Sequence, residues 1–175
     1  MQQSKILTML FLFFGCLALP NQTFSQTDAA VKTLSGFDTL KVEVEQLAPD
    51  LEKAGITKEQ IQTDIETKLK AAGIKVKKSS ETVAPYVVLH VSVNSIDNGV
   101  GGFAVSVNTA LNQLVVLDRK KSVTSVAGTW ESKSIVSVIK EKVQAIRNFV
   151  NLQIDLFINA YRKANTSSMT PNPNK

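Results

Sequence analysis

Apolar and charged residues alternate from Leu40 to Leu47, in the order Leu40-Lys41-Val42-Glu43-Val44-Glu45-Gln46-Leu47. A period of two puts the apolar set on one face and predicts a half-buried strand with its charges in water. Ala48-Pro49-Asp50 closes that strand, and Asp50–Gly55 is expected to form an irregular turn. The spacing then changes to four, with Ile61, Ile65 and Leu69 forming one apolar stripe and Glu59, Asp64, Glu66 and Lys68 lying off it. This is the pattern of an amphipathic helix. Its start is marked by Thr57, whose hydroxyl can accept a first-turn N–H, and by Gln60, which can reach back to the cap. Ile56 and Ile61 can staple the entry. Gly73 supplies the left-handed residue that ends a helix, and Ile74 can fold back onto Leu69. Ile74 and Val76 alternate with Lys75 and Lys77 as a second strand.

Lys78–Pro85 is polar and reads as a loop. From Pro85 to Asn94 the chain alternates again, with Val87, Leu89, Val91 and Val93 on one face and Tyr86, Val88, His90 and Ser92 on the other. Asp97–Gly102 is rich in Gly and Asn, which predicts a hairpin. Phe103, Val105 and Val107 then point inward on a run reaching Leu117, long enough to suggest a bulge near Asn112-Gln113. Asp118–Lys121 is a charged turn, and Ser122–Glu131 returns as a strand ending near Trp130. From Ile135 onward, Ile135, Ile139, Val143, Ile146, Val150, Ile154, Phe157 and Tyr161 trace one face of a long helix, widened by Val138, Phe149, Leu152, Leu156 and Ile158. The expected fold is a two-layer α+β sandwich: strand–helix–strand, a three-strand antiparallel meander, then a long C-terminal helix packed on one sheet face. The other face is left for water or a partner.

The ends of the chain change the picture of what folds. Lys5 precedes the apolar run Ile6–Leu19, then come Pro20 and polar residues. That run is short for a membrane span and has the layout of a secretory signal peptide, with cleavage expected after Ser25. The expected organisation is a signal peptide over 1–25, a flexible lead-in over 26–37, one domain over 38–164 and a disordered tail over 165–175 carrying Pro171 and Pro173. Cys16 is the only cysteine. Phe13-Phe14-Gly15-Cys16 faintly resembles a lipidation site, but bulky Phe14 fits it badly. A discarded apolar residue is the favoured reading. The domain itself then has no disulfide and no thiolate chemistry. The net charge of +5 is modest, and with export it argues against nucleic acid as a partner.

Candidate chemistry is sparse. His90 is the only histidine, and a lone strand His is more often structural than catalytic or metal-binding. Glu43 and Glu45 share a strand face that is simplest as a solvated one. Asp97 lacks the spacing of a calcium loop. Ser92, Ser106 and Ser125 stand on strands without an elbow motif or a His–Asp pattern. No phosphate-binding loop is present. Two features suggest an interaction surface. Lys75, Lys77 and Lys78 at one strand end, and Arg119, Lys120 and Lys121 in a turn, would form an anion or membrane-surface patch if they met. Solvated lysines are the simpler reading. Tyr86 and Trp130, near strand ends, can anchor a partner, although Trp130 can equally plug the core under the long helix. His90 is kept with these as part of a possible surface.

Leu40–Glu45, Asp64–Val76 (DIETKLKAAGIKV), Pro85–Val93 (PYVVLHVSV), Thr129-Trp130 and Phe157–Asn165 (FINAYRKAN) together resemble a group of small, exported bacterial proteins of uncharacterised function. More distantly, the order of elements resembles the amino-terminal domain of the periplasmic protein TolB and related envelope modules. That resemblance implies a fold that contacts partner proteins and carries no catalytic residues. No β-propeller follows here, so the likeness is to a single module, and it assigns no binding residues.

The sequence therefore predicts a periplasmic or secreted, non-enzymatic binding or adaptor module acting on an envelope protein. It is expected to have no cofactor, no metal and no membrane span once the leader is removed. The alternative is a carrier holding a small apolar or lipid ligand between the long helix and the sheet.

Overall fold

A computed structural model describes residues 27–78, 80–81 and 86–166. The expected leader, the Cys16 question and most of the expected tail lie outside the described residues.

The chain first forms a short helix, α1 (Asp28–Lys32), capped by the Thr27 hydroxyl, which accepts from the Ala30 N–H at 3.2 Å. Val31 and Leu34 are buried in and just after it. This corrects the expectation of a flexible lead-in over 26–37. A single helical turn has too few apolar positions to show a period, so its anchoring came from tertiary contact. Strand β1 (Thr39–Val44) follows, with Leu40, Val42 and Val44 inward. The expected irregular turn is a second short helix, α2 (Pro49–Lys53), with Pro at its first position and Leu51 buried. Proline is tolerated there because that N–H would have no helical acceptor.

The main crossover helix is α3 (Lys58–Ala71), and both ends are built as the sequence specifies. Gln60 N–H donates to Thr57 Oγ1 at 3.2 Å, and Thr57 N–H donates to Gln60 Oε1 at 3.1 Å. Ile56 and Ile61 are both buried beside this cap. At the other end Gly73 has φ 84°, Gly73 N–H donates to Lys70 O, and Ile74 N–H donates to Leu69 O, both at 3.0 Å. This doubled bond closes the last turn and aims the chain into β2 (Lys75–Lys77).

Three longer strands complete the sheet: β3 (Val87–Asp97), β4 (Gly102–Val116) and β5 (Thr124–Ile139). The order is β2-β1-β3-β4-β5, with β1 parallel to β2 and β3, and the β3–β4 and β4–β5 pairs antiparallel. The register shifts between Leu111 and Asn112, next to the bulge expected at Asn112-Gln113, but the extra residue is Thr129 of β5, so β4 keeps its facing and β5 changes it. Strand β5 ends at Ile139, eight residues beyond the expected end at Glu131. Ile135 and Ile139 therefore belong to the sheet and not to the long helix. After a 3-10 turn (Lys140–Lys142), helix α4 spans Ala145–Thr166. It buries Ile146, Val150, Ile154, Phe157 and Ile158 against the sheet. Asn165 and Thr166, assigned above to a disordered tail, are its last residues.

Both long helices cover one face of the sheet, which gives the expected two-layer α+β sandwich. They are clasped by charge as well as by packing. Arg147 holds Asp64 with two bonds of 2.7 and 2.8 Å, and Lys68 reaches Asp155 at 2.7 Å. The Asp64 carboxylate holds the Arg147 guanidinium still further above its ordinary range. Trp130 and Phe157 meet edge to face in the core, ring centroids 5.3 Å apart.

Candidate interaction surface

Strand alternation fixes what stands on the uncovered face. Where Val87, Leu89, Val91 and Val93 face the helices, Tyr86, Val88, His90, Ser92, Asn94 and Ile96 face away. The register aligns these with Asn112, Ala110, Asn108, Ser106 and Ala104 of β4, and with Glu131, Lys133, Ile135, Ser137 and Ile139 of β5. Beyond the bulge, Leu114, Val116 and Val126 join the same face.

The middle of this face is polar and self-paired. His90 Nε2 lies 3.5 Å from Glu45 Oε1, Lys41 Nζ lies 2.8 Å from Glu43 Oε1, and Lys133 Nζ lies 2.6 Å from Glu131 Oε1. The two ends are apolar. One end carries Ile96 and Ile135, 75% and 81% exposed, with Ile139 and the turn residue Val100 nearby. The other carries Tyr86, Leu114, Val116 and Val126, all exposed. An isolated exposed apolar residue needs no explanation, but two clusters on one sheet face make a surface suited to contact.

The residues singled out from sequence divide differently. Tyr86 and His90 do lie on this face. Trp130 does not. It is 1% exposed and packed on Phe157, so its large ring is spent on the core and it anchors no partner. The two basic groups also fail to form one patch. Lys75, Lys77 and Lys78 follow the β2 edge, whereas Arg119, Lys120 and Lys121 lie in the β4–β5 turn. Three strand spacings, about 14 Å, part β2 from β4 across the sheet, and β2 runs away from that turn. Several of the cations are also locally paired. Lys75 reaches Asp38 at 2.6 Å, and Lys121 pairs with Asp118. The Lys75 ammonium, with help from Thr39, holds the Asp38 carboxyl below its ordinary range, and Asp38 in turn raises Lys75.

The geometry removes the motive for an apolar carrier. Between α4 and the sheet the space is packed, with Leu111, Trp130, Ile154 and Phe157 each at most 1% exposed, and Leu152 and Leu156, which widened the apolar stripe, point outward and are exposed. A cleft of about 500 Å³ lies instead beside the start of α4, lined by polar groups including Asp64, Lys142, Arg147 and Asn151. Among the described residues, no group of three His, Cys, Asp or Glu is placed to hold a metal ion. No described helix is long and apolar enough to cross a membrane.

The residues that sequence reasoning missed are Ile96, Leu114, Val116, Val126, Ile135 and Ile139. Ile135 and Ile139 were assigned to the helix core. Leu114 and Val116 continue the outward, even-numbered alternation of β4, and Val126 lies beyond the bulge, where β5 changes its facing.

No protein-family model matches the chain, and no curated protein matches it. Among solved structures it is similar to a minor lipoprotein from Acinetobacter baumannii, a 2.35 Å crystal structure, at 12% identity and a TM-score of 0.36. The match covers 70% of this chain and 91% of that one. Geometry shared at that level carries no functional argument.

Proposed function

We propose that the chain is exported and acts in the cell envelope as a non-enzymatic protein-binding or adaptor module. Its partner is an envelope protein that docks on the uncovered sheet face. One observation carries this reading. The exposed Ile96, Ile135, Ile139, Leu114, Val116 and Val126 stand on that face, while α3 and α4 cover the other. Such a face, apolar at both ends and ion-paired between them, offers hydrophobic anchors and a polar middle that sets register. The layout of Lys5 and Ile6–Leu19 supports export.

The test is a photo-crosslinking amino acid placed at Ile96 or Leu114 in cells, one in each apolar cluster. A single recurring envelope protein captured from both positions is expected. Capture at Lys53, on exposed α2, serves as the control and should not yield it. Labelling that does not differ between the sheet face and Lys53 would overturn the reading.

A further inference from the structure

One end of the molecule collects cations. Strands β1 and β3 start there, since Lys41 is level with Val88 and the two run the same way. Helix α4 finishes there: Tyr161 Oη donates to Phe37 O, just before β1, at 2.7 Å. Helix α1 lies beside it, with Asp28 3.4 Å from Lys163 Nζ and the Thr33 hydroxyl donating to Thr129 O at 3.3 Å. The β4–β5 hairpin leaves the same end. Leu114 N–H donates to Tyr86 O at 3.4 Å, and the two strands run on from there about 10 Å to the turn over 118–121. Helix α4 runs on about 7 Å past Tyr161 to Thr166.

Charge at this end does not cancel. Asp28, Asp38 and Asp118 each hold a lysine, respectively Lys163, Lys75 and Lys121. That leaves Lys32, Arg119, Lys120 and Arg162, which are exposed and pair with no described carboxylate. Arg162, near the end of α4, also offsets a helix dipole. Arg119 and Lys120 stand in a hairpin turn, where no such dipole calls for them. Beyond the far ends of β1 and β5 the surplus is gone: Glu52, Glu59 and Glu141 offset Lys58 and Lys142.

We infer that this end rests on an anionic membrane surface, with its cations among phospholipid head groups. The cations are spread across the end. Lys32 adjoins Thr33, whose carbonyl accepts from Gln113 Nε2 at 2.9 Å, and Gln113 stands about 17 Å along β4 from the turn. Cations so far apart cannot close on one small anion. A plane of negative head groups meets them all, and each basic residue near such a plane is worth about fivefold in binding. The route of the chain agrees. The apolar run over 6–19 leads to Thr27, which caps α1 at this same end. The residues between span at most about 25 Å, so while that run lies in a membrane this is the end held against it. The contact uses the end of the module and leaves the sheet face to a protein partner, so neither depends on the other.

Vesicle sedimentation with the purified protein tests this. Binding to vesicles of equal parts phosphatidylglycerol and phosphatidylcholine is expected, about tenfold or more tighter than to phosphatidylcholine alone, and salt should release it. Arg119→Glu with Lys120→Glu should weaken that binding about tenfold or more. Lys58→Glu with Lys142→Glu changes the net charge equally at the opposite end and should weaken it less than about threefold. Circular dichroism checks that each variant folds. Equal binding to both kinds of vesicle, which insertion of the apolar run alone would give, overturns the inference, and so does no binding to either. A hairpin variant that loses no more than the opposite-end variant overturns it too, because net charge and not this end would then be the cause.

Discussion

Gly73 shows how much one residue can decide. Its φ of 84° belongs to the left-handed region, and a Cβ built there meets nothing within 4 Å. The cost of a side chain is therefore backbone strain rather than collision. Gly73→Val should lose about 1–2 kcal/mol in urea unfolding, while Gly73→Asn should lose less. Trp130 is the opposite case, a residue whose worth is volume. Trp130→Ala should cost about 3–5 kcal/mol, because Phe157 and Leu111 cannot collapse into the space. Asp97 contributes through charge. The Gly99 N–H, donating at 2.9 Å, and then Lys140 at 3.0 Å hold its carboxyl below the ordinary range. A depressed carboxylate stabilises fully at neutral pH and loses that contribution as pH falls through its lowered value. Thermal unfolding followed from pH 7 to pH 3 should thus fall less steeply in Asp97→Asn than in the unaltered chain.

At the scale of elements, most of the fold was legible because local signals and tertiary needs coincide. Thr57, Gln60 and Gly73 bound α3 by their own chemistry, and the alternation of Val87, Leu89, Val91 and Val93 marks an inner face directly. The long helix was misplaced for a definite reason. A spacing of four, as between Ile135 and Ile139, fits one helical stripe and also one face of a strand. The arbitrating signal was the company these residues keep. Ser134, Val136, Ser137 and Val138 are weak helix formers, and the β-branched ones suit a strand. A change of facing on β4 near Asn112 would have turned Leu114 and Val116 inward, but the extra residue is Thr129 of β5, so they stay with Tyr86 on the outer face and Val126 joins them. Seeing that needs the register. Helix α1 was hidden because Val31 and Leu34 are held by the rest of the molecule and not by a local period.

At the scale of the whole molecule, two layers leave one sheet face to be explained. The helix-covered face is finished: Arg147 and Lys68 clasp α3 to α4, and the core between is filled. The uncovered face gathers its apolar residues at two ends, and no residue list drawn from sequence alone could collect them, since they come from three strands on both sides of a bulge. The proposed docking role belongs to that face, and Ile96 on β3 and Leu114 on β4 report on it away from the β5 edge. The most direct measurement is therefore crosslinking in cells from Ile96 and Leu114. One envelope protein is expected to be captured from both positions and not from Lys53. Adducts with a second copy of this chain alone, or labelling equal to that from Lys53, would contradict the docking role.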